Sequence, residues 1–183
     1  MSDKTTIPSF GTAAGSEFDR FLRLGSQNPS PDRVCGELAK LLRVKIDEVA
    51  LLKLEHGMLK FLFPPGLKTA GAIPLNGTAV AARTASTKST LLSNNFARVK
   101  HVRIFEDIKP GVATDAPDRL PIQKLMSVPI LNEQGLILGV VQISRKGLDA
   151  KSAGEDFTSD DLKVLEQGAA VIAKLDFMQE QRT

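Results

Sequence analysis

The strongest constraint on this chain lies near its C-terminus. Two apolar runs, Leu125 to Leu131 and Leu136 to Ser144, are joined by Asn132-Glu133-Gln134-Gly135. That link is a turn by composition, so the runs read as an antiparallel hairpin. After a solvated loop from Lys146 to Asp156, Thr158 and Asp161 stand three apart at the start of a helix. This is the spacing of a capping box, in which each side chain meets the other's backbone N–H. Leu162, Leu165, Ala169, Ile172 and Leu175 form one apolar stripe on that helix, and Val164, Val171 and Met178 form a second. A helix with two apolar stripes needs two partners, here its own sheet and another helix.

Upstream, residues 1–14 read as a loose tail, and the rest of the chain reads as a single domain over residues 15–183. Phe18, Phe21 and Leu22 predict a short helix from Ser16 to Leu24, which Gly25 to Ser30 breaks. Ser30-Pro31 starts a second helix, with Ser as N-cap and Pro at the first helical position. Val34, Leu38, Leu41 and Leu42 form its stripe, and Cys35 beside them is a small core filler. Residues 48–63 predict a β-hairpin that turns at His56-Gly57 and ends at Pro64-Pro65-Gly66. On its second strand, alternation places Leu59, Phe61 and Phe63 on one face, opposite Met58, Lys60 and Leu62.

The middle section, residues 67–122, predicts only short pieces: a helix from Thr78 to Thr84, a strand from Ser89 to Leu92, then Ser93-Asn94-Asn95-Phe96. A second short helix is expected around Val102 to Ile108, with a loop from Lys109 to Pro121. Long sections of this kind serve as binding loops. The order helix, helix, hairpin, loops, hairpin, helix gives an α+β fold with an antiparallel sheet, not alternating βαβ units.

Composition narrows function by exclusion. The 183 residues hold one cysteine, which rules out an internal disulfide framework and a cysteine zinc site. No apolar run reaches the roughly 18 residues of a membrane span, and the N-terminus lacks a secretory pattern. A soluble, reducing, cytoplasmic setting and no membrane partner are expected. No HExxH, GxSxG or P-loop occurs, and two histidines leave little general-base capacity near neutral pH, so the chain reads as non-enzymatic.

The net charge of +3 does not by itself argue for nucleic acid, and there is no Trp or Tyr to stack on bases. Its distribution is uneven. Residues 1–103 carry 15 basic and 8 acidic side chains, and residues 104–183 carry 9 and 13. Between Glu55 and Glu106 there is no acidic residue at all.

The segment Leu125-Met126-Ser127-Val128-Pro129-Ile130-Leu131, the turn with Gly135, and Ile137-Leu138-Gly139-Val140-Val141-Gln142-Ile143 resemble the signature hairpin of GAF domains. Phe157-Thr158-Ser159-Asp160-Asp161-Leu162 resembles the start of their last helix, and Ile73-Pro74-Leu75-Asn76-Gly77-Thr78-Ala79 the segment before their pocket-side helix. The resemblance covers roughly residues 15–180. It implies a central antiparallel sheet of five to six strands in a GAF/PAS-like arrangement. Terminal helices would cover one face and form a homodimer, while short helices and loops over the other face would enclose a small-molecule pocket. The implied role is signal transduction, in which ligand binding biases a conformation that an effector protein or output domain reads. No output domain follows within these 183 residues, so the chain is expected to be either a standalone regulator or an excised piece. An alternative is a pure dimerisation or interaction domain with a closed pocket.

The resemblance also bears on the ligand. Cyclic-nucleotide-binding members carry Asn-Lys, Phe and Asp-Glu, where this chain has Ser144-Arg145, Phe157, Asp161 and Leu162. Two of those positions are kept and two are lost. Cys35 lies before the sheet, away from a bilin-attaching loop, and one thiol cannot run the cycle of members that reduce free methionine sulfoxide. Haem would require His101 as axial ligand. No cofactor is therefore expected. The candidate ligand-binding set is Phe63, Ser93, Asn94, Phe96, Arg98, His101, Ser127 and Gln142. Arg83, Lys88, Arg98, His101 and Arg103, with no competing carboxylate, either favour an anionic ligand or are solvated surface charge. Ser127 and Gln142 are polar within apolar strands, so they either meet a ligand or ordered water or sit at an exposed strand edge.

Overall fold

The computed structural model describes residues 12–98 and 120–179. Two helices open it, α1 (Thr12–Gly25) and α2 (Pro31–Leu41), followed by the hairpin β1 (Val49–Glu55) and β2 (Met58–Phe63). Next come β3 (Ala72–Pro74), α3 (Val80–Thr87), β4 (Leu91–Ser93), β5 (Ile122–Leu131), β6 (Ile137–Lys146) and α4 (Ser159–Ile172). The six strands form one antiparallel sheet in the order β3-β2-β1-β6-β5-β4. The expected α+β architecture holds. The predicted helix around Val102 to Ile108 lies outside the described residues.

Local chemistry sets the element ends. Ser30 accepts a hydrogen bond from the Arg33 amide and caps α2. At α4, Thr158 Oγ1 accepts from the Asp161 amide at 3.1 Å and Asp161 accepts from the Thr158 amide at 2.8 Å. His56 (φ 50°) and Gly57 (φ 75°) both take the left-handed conformation, which matches the twist of a two-residue hairpin. The β5–β6 turn is held by Asn132, whose side chain accepts from the amides of Gln134 and Leu136. The loop between β6 and α4 is tied down by Lys124 Nζ, which donates to the Gly154 carbonyl at 2.5 Å and pairs with Asp156 at 2.8 Å.

Alternation along the strands divides the core into two clusters. Val49, Leu51, Met126, Val128, Ile130, Val141 and Ile143 face α1, α2 and α4. Ala50, Leu52, Leu59, Phe61, Leu125 and Val140 face α3. Three expectations change here. First, Leu51 pairs with Phe63 and Leu52 with Phe61, so Leu62 is an extra residue in a β-bulge. The bulge reverses the alternation, and Phe63 joins the helix-side core rather than sharing a face with Leu59 and Phe61. Second, α1 buries Phe21 and Leu24 and leaves Leu22 44% exposed, because α1 meets its neighbours along the Phe21–Leu24 line. Third, α4 ends at Ile172, and the chain turns so that Met178 packs against Gly139.

The second apolar stripe of α4 finds its partner within the chain. A Cβ on Gly25 would sit 2.8 Å from Val171 Cγ1, and one on Gly168 would meet Leu38 and Phe21. Absent side chains at these two glycines let α1 and α2 approach α4 this closely.

Candidate functional site

The opposite side of the sheet is covered differently. α3 is eight residues long, and it buries Val80, Ala81, Ala82, Thr84 and Ala85. Small side chains let it lie close over the strands. Lys88, with φ 53°, ends the helix in the left-handed conformation, and the chain reverses into β4. β4 pairs with β5, Leu91 opposite Ser127 and Ser93 opposite Leu125, and a 3-10 turn at Phe96–Arg98 follows.

Between α3, β4 and that turn lies a cavity of about 310 Å³. This is at the lower end of the range for small-molecule sites. Val80, Leu91 and Phe96 give it apolar walls, and Thr84, Thr87 and Ser93 bring hydroxyls. Among the described residues that line it, Arg83 is the charged one. Arg83 is exposed, and its guanidinium has no hydrogen-bond or ion-pair partner among the described residues.

Beneath α3 the sheet carries a buried polar network. Ala50, Gln142, Ser127 and Leu91 stand in register across β1, β6, β5 and β4. Gln142 Nε2 donates to Ser127 Oγ at 3.1 Å, and Ser127 Oγ lies 2.7 Å from Thr84 Oγ1. All three side chains are nearly or fully inaccessible, at 1% for Gln142, 0% for Ser127 and 3% for Thr84. Gln142 Oε1 has no partner among the described residues. An unmet buried acceptor carries a cost of about 1–3 kcal/mol.

The structure distributes the sequence-predicted residues unevenly. Ser93 and Phe96 line the cavity. Ser127 and Gln142 are buried below α3, not at an exposed strand edge. Phe63 lies on the far side of the sheet, in the helix-side core, and so leaves the candidate set. Asn94 also turns away. Its amide donates to the Phe157 carbonyl at 2.9 Å and accepts from the Phe157 amide at 2.8 Å, clamping the residue just before the α4 cap. Phe157 is further held by Arg145, whose guanidinium lies 4.8 Å from the ring centroid. Arg98 ends the 3-10 turn, and His101 and Arg103 lie outside the described residues.

Sequence reasoning overlooked Thr84 as a site residue. It is the lone hydroxyl in Val80-Ala81-Ala82-Arg83-Thr84-Ala85, one helical turn from Val80 on the buried side. A polar residue at that position signals a partner below. Lys88 belongs elsewhere, because its Nζ donates to the Gly135 carbonyl at 2.8 Å on the β5–β6 turn.

Cys35, the chain's single cysteine, is fully buried among the helix-side residues. Burial, and secondarily the nearby charge of Asp32, pushes its thiol well above the ordinary cysteine range. Among the described residues no group of three His, Cys, Asp or Glu side chains is placed to hold a metal. No described helix is long and apolar enough to cross a membrane.

A family model for the GAF domain matches residues 32–175. The chain belongs to the GAF domain family. Solved GAF structures share the fold. The GAF domain of an Acinetobacter phosphoenolpyruvate-protein phosphotransferase superposes with a TM-score of 0.66 at 12% identity, covering 91% of this chain and 94% of the other. The GAF domain of a two-component sensor histidine kinase from Bacillus halodurans gives 0.56 at 20% identity, covering 81% and 95%. A type II free methionine-R-sulfoxide reductase from Thermoplasma acidophilum gives 0.55 at 18% identity, covering 85% and 94%. No curated protein matches the chain. GAF domains are commonly regulatory modules that sense small molecules, although the neighbours of this chain include an enzyme.

Proposed function

We propose that this chain is a non-enzymatic sensor whose ligand is a small anion held in the cavity between α3, β4 and the Phe96 turn. The observation that carries the reading is Arg83. It lines a cavity of about 310 Å³ and lacks a protein counter-ion among the described residues. A cation beside apolar walls and hydroxyls attracts an anionic group and orients it. The acid-free composition between Glu55 and Glu106 leaves no nearby carboxylate in sequence to compete.

Against a redox enzyme stands the position of Cys35. Its thiol is on the other side of the sheet from the cavity and is held protonated by burial. The sulfenate chemistry of thiol reductases requires an accessible thiolate and a second thiol. Occupancy of the cavity is then read by an effector protein or output domain.

The test is a thermal-shift panel of metabolite-sized carboxylates and phosphates on the wild type and on Arg83→Ala. A ligand at a hundredfold over its Kd stabilises the fold by about 2.7 kcal/mol. At least one anion should raise the melting temperature of the wild type and fail to do so in Arg83→Ala. If no anion or neutral molecule stabilises the wild type, the sensor reading fails.

A further inference from the structure

We infer that the Gln142–Ser127 pair fixes Thr84 as a hydrogen-bond donor toward the cavity, so that the site selects ligands presenting oxyanion acceptors. This rests on the sensor reading above and specifies how the ligand is recognised.

The argument is one of hydrogen-bond directions. An amide nitrogen can only donate, so with Gln142 Nε2 placed 3.1 Å from Ser127 Oγ the serine oxygen accepts there. The serine proton is then free for one acceptor, and Thr84 Oγ1 lies 2.7 Å away. If Ser127 donates to Thr84, the serine uses both its oxygen and its proton, and the Thr84 proton remains for a partner in the cavity that Thr84 lines. The reverse order makes Ser127 accept twice and strands its proton at a fully inaccessible site. That is the costly arrangement. Turning the Gln142 amide over would point Oε1 at Ser127 and leave both amide N–H groups without partners, where the observed orientation leaves one N–H and the oxygen, and an orphaned buried N–H is the less tolerated of the two. The observed order is therefore favoured, and it runs outward from Gln142 to Ser127 to Thr84 to the cavity.

A Thr84 hydroxyl ordered in this way offers its proton to a lone pair on the ligand. Arg83, the preceding residue on α3, also lines the cavity and presents only donors. Together they suit a carboxylate or phosphate oxygen and disfavour an ammonium or amide N–H. Gln142 is then a positioning residue, acting on the ligand only through Thr84.

Acetate and orthophosphate serve as the carboxylate and phosphate probes, with methylammonium and acetamide as controls, each titrated while following the Thr84 and Leu91 amide resonances. One or both anions should bind the wild type, the stronger naming the source of the oxyanion, and the controls should not. Thr84→Ser should retain that binding, and Thr84→Val should lose about tenfold in affinity. Gln142→Leu should lose several-fold in the wild-type background and nothing further in the Thr84→Val background. An equal loss in both backgrounds would mean that Gln142 only supports the cavity's shape, and would overturn the relay. Binding of methylammonium or acetamide in preference to the anions would also overturn it, while leaving a sensor in place. If no probe binds the wild type but a metabolite anion passes the Arg83 test, the double-mutant cycle is read with that anion. If none does, both readings fall together.

Discussion

The two faces of the sheet are covered on different terms. On the helix side, three helices close onto a continuous apolar cluster, and glycines at 25, 139 and 168 bring backbone and side chains into tight contact. On the α3 side, one short helix rich in alanine leaves a cavity, and hydroxyls and an amide sit among the apolar residues. Packing density rewards the first arrangement with stability. The second gives up some contact energy and retains polar groups that can recognise a ligand. Fold maintenance and recognition are thus assigned to opposite sides of one six-stranded sheet.

Substitutions that break this contrast should differ most in their effect on stability. The largest effect is expected at Gly139, where an added Cβ would stand 2.1 Å from the Leu52 carbonyl oxygen and 2.8 Å from Met178 Cε. Gly139→Ala must push β1 and β6 apart, so urea denaturation should show a loss of more than about 3 kcal/mol. Next is the same truncation made on both faces. Leu38→Ala, fully buried under the helices, should cost about 3 kcal/mol, whereas Leu91→Ala beside the existing cavity should cost less than about 1. Equal costs would show that the two faces are packed alike.

Asn94→Ala removes both bonds to the Phe157 backbone and should cost about 1–2 kcal/mol. Hydrogen exchange of the Phe157 amide should accelerate, while amides of α2 keep their protection. The smallest effect is expected at Glu37, which pairs with Arg20 at 2.5 Å and Lys40 at 3.1 Å on the surface. The hydrogen bond from Arg20, with help from Lys40, holds its carboxyl below the usual range. The contribution is therefore present above the ordinary glutamate pKa and is lost as the pH falls through the lowered value. Because Arg20 is largely exposed, Glu37→Gln should cost well under 1 kcal/mol near neutral pH and nothing in strong acid. A flat difference across that range would sink the assignment.

What could be read from the sequence was chemistry local to a few residues. Ser30-Pro31, His56-Gly57, Asn132 with Gly135, and Thr158 with Asp161 each fix an element end through their own side chains or backbone. What could not be read depends on distant partners. α3 begins at Val80 rather than Thr78 and has no side-chain cap, so nothing local marks its start. β3 ends at Pro74 on the sheet edge, where proline is tolerated but gives no strand signal. Of the expected ligand-binding set, Ser93 and Phe96 reach the cavity, whereas Asn94 is taken up by Phe157, 63 residues away. Thr84 finds Ser127 across 43 residues, a pairing that only the folded sheet creates.

The bulge at Leu62 has a consequence for how this chain tolerates change. Counting by twos along β2, Leu59 and Phe61 are odd positions serving α3, and Phe63 is odd yet serves the helices. One surplus residue switches parity, and the strand becomes a stitch that passes through the sheet and fastens both layers. Because Phe63 already stands opposite Leu51, deleting Leu62 would leave its ring on the helix side, whereas pairing Leu62 with Leu51 in a regular strand would turn the ring toward α3 and open a hole behind α2. Loss of the bulge with Leu62 kept therefore resembles a double core mutation rather than a loop edit.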